Sequence, residues 1–123
     1  MILVDTSVWV HHLRSVEQTL VWLLEGGLVL GHPFVTGELA LGNLGQRDAI
    51  VSDLLDLPQA AVATTEEVLQ FINHHQLYGM GIGYVDVHLL ASVRLTAGAS
   101  LWTRDKSLHT AAETLGLDWR RQS

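Results

Sequence analysis

At 123 residues, 48% of them hydrophobic and 16% charged, the chain has the length of one compact domain and too much apolar content to stay unfolded. Thirteen acidic residues against seven basic ones leave a net charge of −6, which excludes a surface coated with basic patches; a polyanionic partner would have to be held locally and through metal cations. The absence of cysteine excludes disulfides and thiolate zinc sites, and no apolar run reaches the roughly 20 residues of a membrane span, so a cytoplasmic protein with no membrane partner is expected.

The opening MILVDTSVWV has no basic leader and is interrupted by Asp5, which argues against a signal peptide. Within it, ILVD (2–5) reads as a short buried strand followed by polar residues. VEQTLVWLLE (16–25) has helical periodicity and stops at Gly26-Gly27, and LVL (28–30) is a second short strand ending at Gly31. Pro33 suits a first helical turn, so FVTGELALGNL (34–44) is expected to be a helix with Glu38 inside it. Residues 46–56 form another short helix, stopped before Pro58. AAVA (60–63) is a third strand candidate, weakened by the poor strand propensity of alanine.

Thr64 and Glu67 make a capping box for a helix running to about His75. YGMGIG (78–83) is a glycine-rich turn, and YVDVHLLASVRLTAG then reads as a helix closed by Gly98. SLWT (100–103) is a strand, residues 105–115 a helix ending at Gly116, and LDW (117–119) a last edge strand. Short strands alternating with helices give an α/β fold, with residues 1–123 as a single domain whose short, mostly parallel central sheet is flanked by helices.

That layout makes particular acids informative. Asp5 closes the first strand and Asp105 lies just past SLWT, and in open α/β sheets ligands bind outside the carboxyl ends of the strands. Thr6, Ser7 and Thr103 add hydroxyls at the same ends. Asp86 heads a helical stripe continued by Leu89, Leu90 and Val93, and Glu38 is surrounded by Phe34, Val35, Leu39, Leu41 and Leu44. Taken singly, Asp5 is a strand-end turn residue, Asp105 a helix N-cap, and Asp86 a cap for its helix at Gly83. Taken together, the four acids suggest a shared site.

Two unit charges 4 Å apart repel by about 4 kcal/mol at an effective dielectric near 20, so clustered carboxylates must either take up protons or share a cation. Oxygen-only ligands favour Mg²⁺ or Mn²⁺ over zinc. One or two such ions, the pair roughly 3.5–4 Å apart, would activate water for phosphodiester cleavage and let an acidic protein bind a nucleic acid.

The residues that raise this expectation also resemble a known family. MILVDTSVWV, the glutamate in FVTGELALGNL, GIGYVDVHLLAS and LWTRDKSLHTAAETLGL look like the four acidic motifs of PIN-domain proteins, most closely of the VapC toxins of prokaryotic toxin–antitoxin pairs. The resemblance covers nearly the whole chain, and its two C-terminal motifs are the specific ones. It implies a Mg²⁺- or Mn²⁺-dependent endoribonuclease that cuts structured RNA such as tRNA or rRNA, forms a homodimer and is inhibited by a VapB-like antitoxin. Carried over by motif, Asp5, Glu38, Asp86 and Asp105 become the acidic tetrad of catalytic and metal-binding residues, with Asp5 and Asp86 the most secure ligands. Thr6, Ser7 and Thr103 become supporting hydroxyls. Arg104 and Lys106 either meet RNA phosphates or an antitoxin, or are solvated flanking charges. None of the four acidic positions departs from the family pattern.

Other features invite weaker readings. The seven histidines include His11-His12 and His74-His75, but neighbours on a helix point about 100° apart and do not chelate, so all four are expected at the surface. His88 lies on a different helical face from Asp86 and is read as structural or solvent-facing. Trp9, Trp22, Trp102 and Trp119 could stack bases, although apolar neighbours favour core or dimer packing for Trp22 and Trp102. GMGIG lacks the GK[ST] of a phosphate loop and is a turn that aims the Asp86 helix.

Three other functions compete. An aspartyl phosphatase wants a second acid two residues after Asp5, where Ser7 stands, and a phosphate receiver wants a mid-chain strand-end Asp, which AAVATTEE does not offer. A non-catalytic module that keeps the PIN fold to bind RNA or protein is the third, and the intact tetrad speaks against it.

Overall fold

Ile2–Val4 form the central strand, β1, whose three consecutive residues are all buried. Such an unbroken apolar run marks a strand covered on both faces, as parallel strands in α/β folds are. The computed structural model describes residues 1–120. Along the chain, β1 is followed by α1 (Thr6–Arg14), α2 (Gln18–Glu25), β2 (Val29–Leu30), α3 (Pro33–Ala40), α4 (Arg47–Asp56), α5 (Thr65–His75), α6 (Tyr84–Leu95), β3 (Ser100–Trp102) and α7 (Lys106–Leu115). The α/β expectation holds: the sheet is three-stranded, ordered β2-β1-β3, with both pairings parallel. Having moved from β1 to β2 on one side, the chain crosses to β3 on the other, which creates a topological switch point between β1 and β3.

The core is built on this sheet. Leu3, Val4 and Leu101 from the strands meet Val8, Leu20, Leu39, Leu89, Leu90 and Leu108 from the helices, all almost wholly removed from water. Helix α1 packs on α3, α3 on α4, α5 on α6, and α6 on β3. Among the described residues, no helix is long and apolar enough to cross a membrane.

Several expectations are confirmed and others corrected. The Thr64–Glu67 capping box forms, and Pro33 opens α3. The helix over 6–14 was not expected: Thr6, Ser7 and the paired histidines disguise a helix that Asp5 caps and that buries Val8 and Trp9. Residues 60–63 form no strand. Pairing there is a single parallel bridge between Gly31 and Gln59, because β2 spans two residues and offers no longer edge to pair with. LDW (117–119) is likewise reduced to one bridge, Leu101 to Asp118. The helix expected over 34–44 stops at Ala40, and α6 ends at Leu95 rather than Gly98.

Candidate active site

The register of the sheet builds the site. Val4 lies opposite Trp102, so Asp5 and Thr103, the next residues, leave β1 and β3 side by side at the switch point. The Asp5 backbone N–H donates to Trp102 O at 2.9 Å, and Asp5 is 5% exposed. Its Oδ2 accepts from Ser7 Oγ at 2.7 Å and from Thr103 Oγ1 at 2.8 Å. Each hydroxyl then accepts a backbone N–H: Ser7 Oγ from Arg104 at 2.9 Å, Thr103 Oγ1 from Asp105 at 3.0 Å. Asp5 is therefore held by two hydroxyls whose own lone pairs fix the loop that carries Asp105. Charge-assisted bonds of this kind are the stronger class of hydrogen bond.

Asp105 is an exposed N-cap of α7, its Oδ1 accepting the Leu108 N–H at 2.9 Å. Glu38, expected among apolar neighbours, is instead on the exposed face of α3, where its Oε1 accepts from Thr6 Oγ1 at 2.7 Å. The helix turns Val35 and Leu39 inward and so turns Glu38 out. Asp86 is partly buried in the first turn of α6, and Gly83 caps that helix without a side-chain bond. Burial, followed by the charges of Asp5, Asp105 and Glu38 in that order, pushes the Asp86 carboxyl up from 3.8 to about 6. The charges of acids from three other segments thus reach Asp86.

Each acid keeps an oxygen in reserve. Among the described residues, Asp5 Oδ1, Glu38 Oε2, Asp105 Oδ2 and both oxygens of Asp86 take no hydrogen bond from the protein. An unshared oxygen on each of four carboxylates fits a hard divalent cation. Among the described residues, no three His, Asp or Glu side chains stand at ligand spacing. Arg104 and Lys106 are exposed beside the site, and neither forms an ion pair among the described residues.

Over 117 residues the chain is 49% identical to Ribonuclease VapC32 from two strains of Mycobacterium tuberculosis, covering 95% of this chain and 94% of that protein. The chain belongs to the VapC-type PIN-domain ribonuclease family. No family model and no solved structure matches it.

Other residues of this VapC-family chain match their sequence readings in some cases and depart from them in others. His11, His12 and His75 are partly exposed and His74 is exposed, in line with a surface placement. His88 is 4% exposed and its Nδ1 is buried without a partner among the described residues, so it is structural and not solvent-facing. Trp22, expected to pack in a core or a dimer, is 64% exposed and so is not in the core, whereas Trp102 packs against Trp119 with ring centres 4.9 Å apart and the rings inclined at 49°. A groove of about 630 Å³ between Trp22, Leu28 and Trp119 lies on α2, away from the carboxylates. His32, for which the sequence raised no expectation, is wholly buried and caps α3 by accepting the Phe34 N–H on Nδ1 at 3.0 Å. Its position immediately before a helix-opening proline is the signal that could have found it.

Proposed function

We propose that this chain is a Mg²⁺- or Mn²⁺-dependent endoribonuclease, the toxin of a VapBC-type pair, which cuts structured RNA such as tRNA or rRNA in the cytoplasm. The observation that carries the reading is the meeting of acids at the strand ends: Thr103 and Ser7 tie Asp5 to the loop that carries Asp105, and burial, then the charges of Asp5, Asp105 and Glu38, raise the Asp86 carboxyl pKa. Similarity to a protein named a ribonuclease supports the substrate class, and the VapC name supports an antitoxin partner. A homodimer is part of the proposal.

Asp5, Glu38, Asp86 and Asp105 would hold the cation through their unshared oxygens. When bound, a divalent cation lowers the pKa of water and offsets the charge that develops during phosphodiester cleavage. The chain's own residues do the rest. Ser7 and Thr103 lock the rotamer of Asp5, while Thr6 aims Glu38. With its carboxyl pKa raised to about 6, Asp86 is largely ionised at neutral pH and would then be available to hold the cation, whereas protonation below that pH would compete with it. Arg104 and Lys106, exposed beside Asp105, offer positive charge to substrate phosphates.

The test uses EDTA-stripped protein incubated with total tRNA and rRNA, with and without Mg²⁺ or Mn²⁺, beside an Asp86→Asn variant. Discrete fragments that need metal and vanish in the variant support the proposal. If Mn²⁺ binds by calorimetry but nothing is cut, the substrate assignment is wrong. If Mn²⁺ does not bind, the carboxylate site is not a metal site, and the non-catalytic module replaces the enzyme.

A further inference from the structure

Glu38 and Asp86 lie on α3 and α6, and a chain of contacts links those two helices. His32, at the head of α3, approaches Ser92 near the far end of α6, with Nε2 and Oγ 2.9 Å apart. Both residues are wholly buried, and 60 positions separate them in sequence. Because Nδ1 already accepts the Phe34 N–H, the neutral ring carries its proton on Nε2 and donates it to Ser92. Burial keeps the ring neutral, its pKa lowered to about 4.

The next contact runs from Phe34 to His88, with ring centres 4.6 Å apart. Beyond it, the charge of Glu38 reaches Asp86. Steps forward along α3, from 32 to 34 to 38, are met by steps back along α6, from 92 to 88 to 86. The helices are therefore linked in opposite chain directions. Glu38 stands six residues from His32, and Asp86 six residues from Ser92. At 1.5 Å per residue, each carboxylate sits about 9 Å along its helix from the same buried hydrogen bond.

We propose that His32 is a positioning residue of the carboxylate site: by tying the head of α3 to Ser92 it sets the spacing between Glu38 and Asp86. This rests on the reading of the four acids as a divalent-cation site. His32 touches neither cation nor substrate and acts through the two helices. The His32–Ser92 bond and the Phe34–His88 contact are two links between α3 and α6, and the first of them would fix where the two carboxylates stand.

The two ring nitrogens have separable jobs. In His32→Asn the side-chain oxygen still caps α3 but no longer reaches Ser92, and Ser92→Ala cuts the same bond from the other helix. Ser92→Thr keeps the hydroxyl. Mn²⁺ affinity is measured by titration calorimetry for each variant and for wild type, well below every melting temperature, with thermal melts in parallel. His32→Asn and Ser92→Ala are each expected to weaken Mn²⁺ binding by about ten-fold. Ser92→Thr should stay near wild type, and the double variant should lose little beyond the weaker single one, since both remove one bond.

Variants that melt earlier yet bind Mn²⁺ as tightly as wild type would show a purely structural histidine and overturn the inference. If His32→Asn fails to fold, the Ser92 pair decides alone. Absence of Mn²⁺ binding in wild type would sink the cation-site reading and this inference with it, an outcome distinct from unchanged affinity among the variants.

Discussion

Thr103 and Asp5 lie 98 positions apart in sequence and are joined by a buried hydrogen bond of 2.8 Å, Oγ1 to Oδ2. The same hydroxyl accepts the Asp105 N–H, so one side chain couples two of the four acids. Thr103→Val preserves shape and removes both functions. It is expected to cost about 1–3 kcal/mol, the penalty for stranding buried polar groups. The check is a shift of the urea midpoint with an unchanged m-value, accompanied by weaker Mn²⁺ binding.

Asp105 has two roles that a pair of substitutions separates. As the N-cap of α7 it accepts the Leu108 N–H, and asparagine does that equally well. Asp105→Asn should therefore melt near wild type while losing Mn²⁺ affinity and RNA cleavage. Asp105→Ala should lose both, with a stability cost of about 1 kcal/mol. Full cleavage activity in a stably folded Asp105→Asn protein would remove this residue from the site.

The raised pKa of Asp86 makes a signed prediction about stability. Its carboxyl holds a proton to about 6 in the folded chain, against an ordinary value of 3.8, so the fold favours the protonated form. That contribution is fully present below about pH 4 and is lost as pH rises through about 6. Asp86→Asn should thus be more stable than wild type at pH 7.5 without metal, by about 1–2 kcal/mol after allowance for solvent screening. The gain should fade toward pH 4. Adding Mn²⁺ should raise the melting temperature of wild type and leave the variant unmoved. Thermal melts across pH, with and without Mn²⁺, measure both effects.

Thr6 and Glu38 share an exposed bond of 2.7 Å. Its removal in Thr6→Val should change stability by no more than about 0.5 kcal/mol, as surface substitutions do. Glu38 would then sample other rotamers, and Mn²⁺ affinity should fall while the melting curve stays in place. A melting temperature that drops with no change in Mn²⁺ affinity would mean that the bond serves α1 and not the site.

A core substitution gives the contrasting pattern. Leu3 is 0% exposed in the central strand, and Leu3→Ala should cost about 2–5 kcal/mol. Chemical denaturation reads the loss. At temperatures where the variant remains folded, its Mn²⁺ affinity should match wild type, because Leu3 precedes the site by two positions and points into the core.

Local chemistry in the sequence determined much of this protein. The run ILV, the proline at 33, the Thr64–Glu67 box and the glycines at 83 and 116 announce strands, caps and stops, because each acts on its immediate neighbours. The positions of Asp5, Asp86 and Asp105 were legible for the same reason, since a strand end or a helix start can be read from neighbouring residues, whereas Glu38 lies inside α3 and drew notice only through its apolar neighbours.

Long-range relations were decided by the tertiary structure alone. Helix α1 was hidden because Thr6, Ser7 and two histidines carry little helical signal until packing on α3 buries Val8 and Trp9. AAVA and LDW have strand-like composition, but a strand needs a partner, and the short edges of this sheet supply one bridge to each segment. Which face Glu38 takes follows from how α3 seats Val35 and Leu39, and His32 meets Ser92 only once α3 and α6 are placed. The raised proton affinity of Asp86 is of the same kind, since burial and three remote charges produce it and no stretch of sequence contains them together.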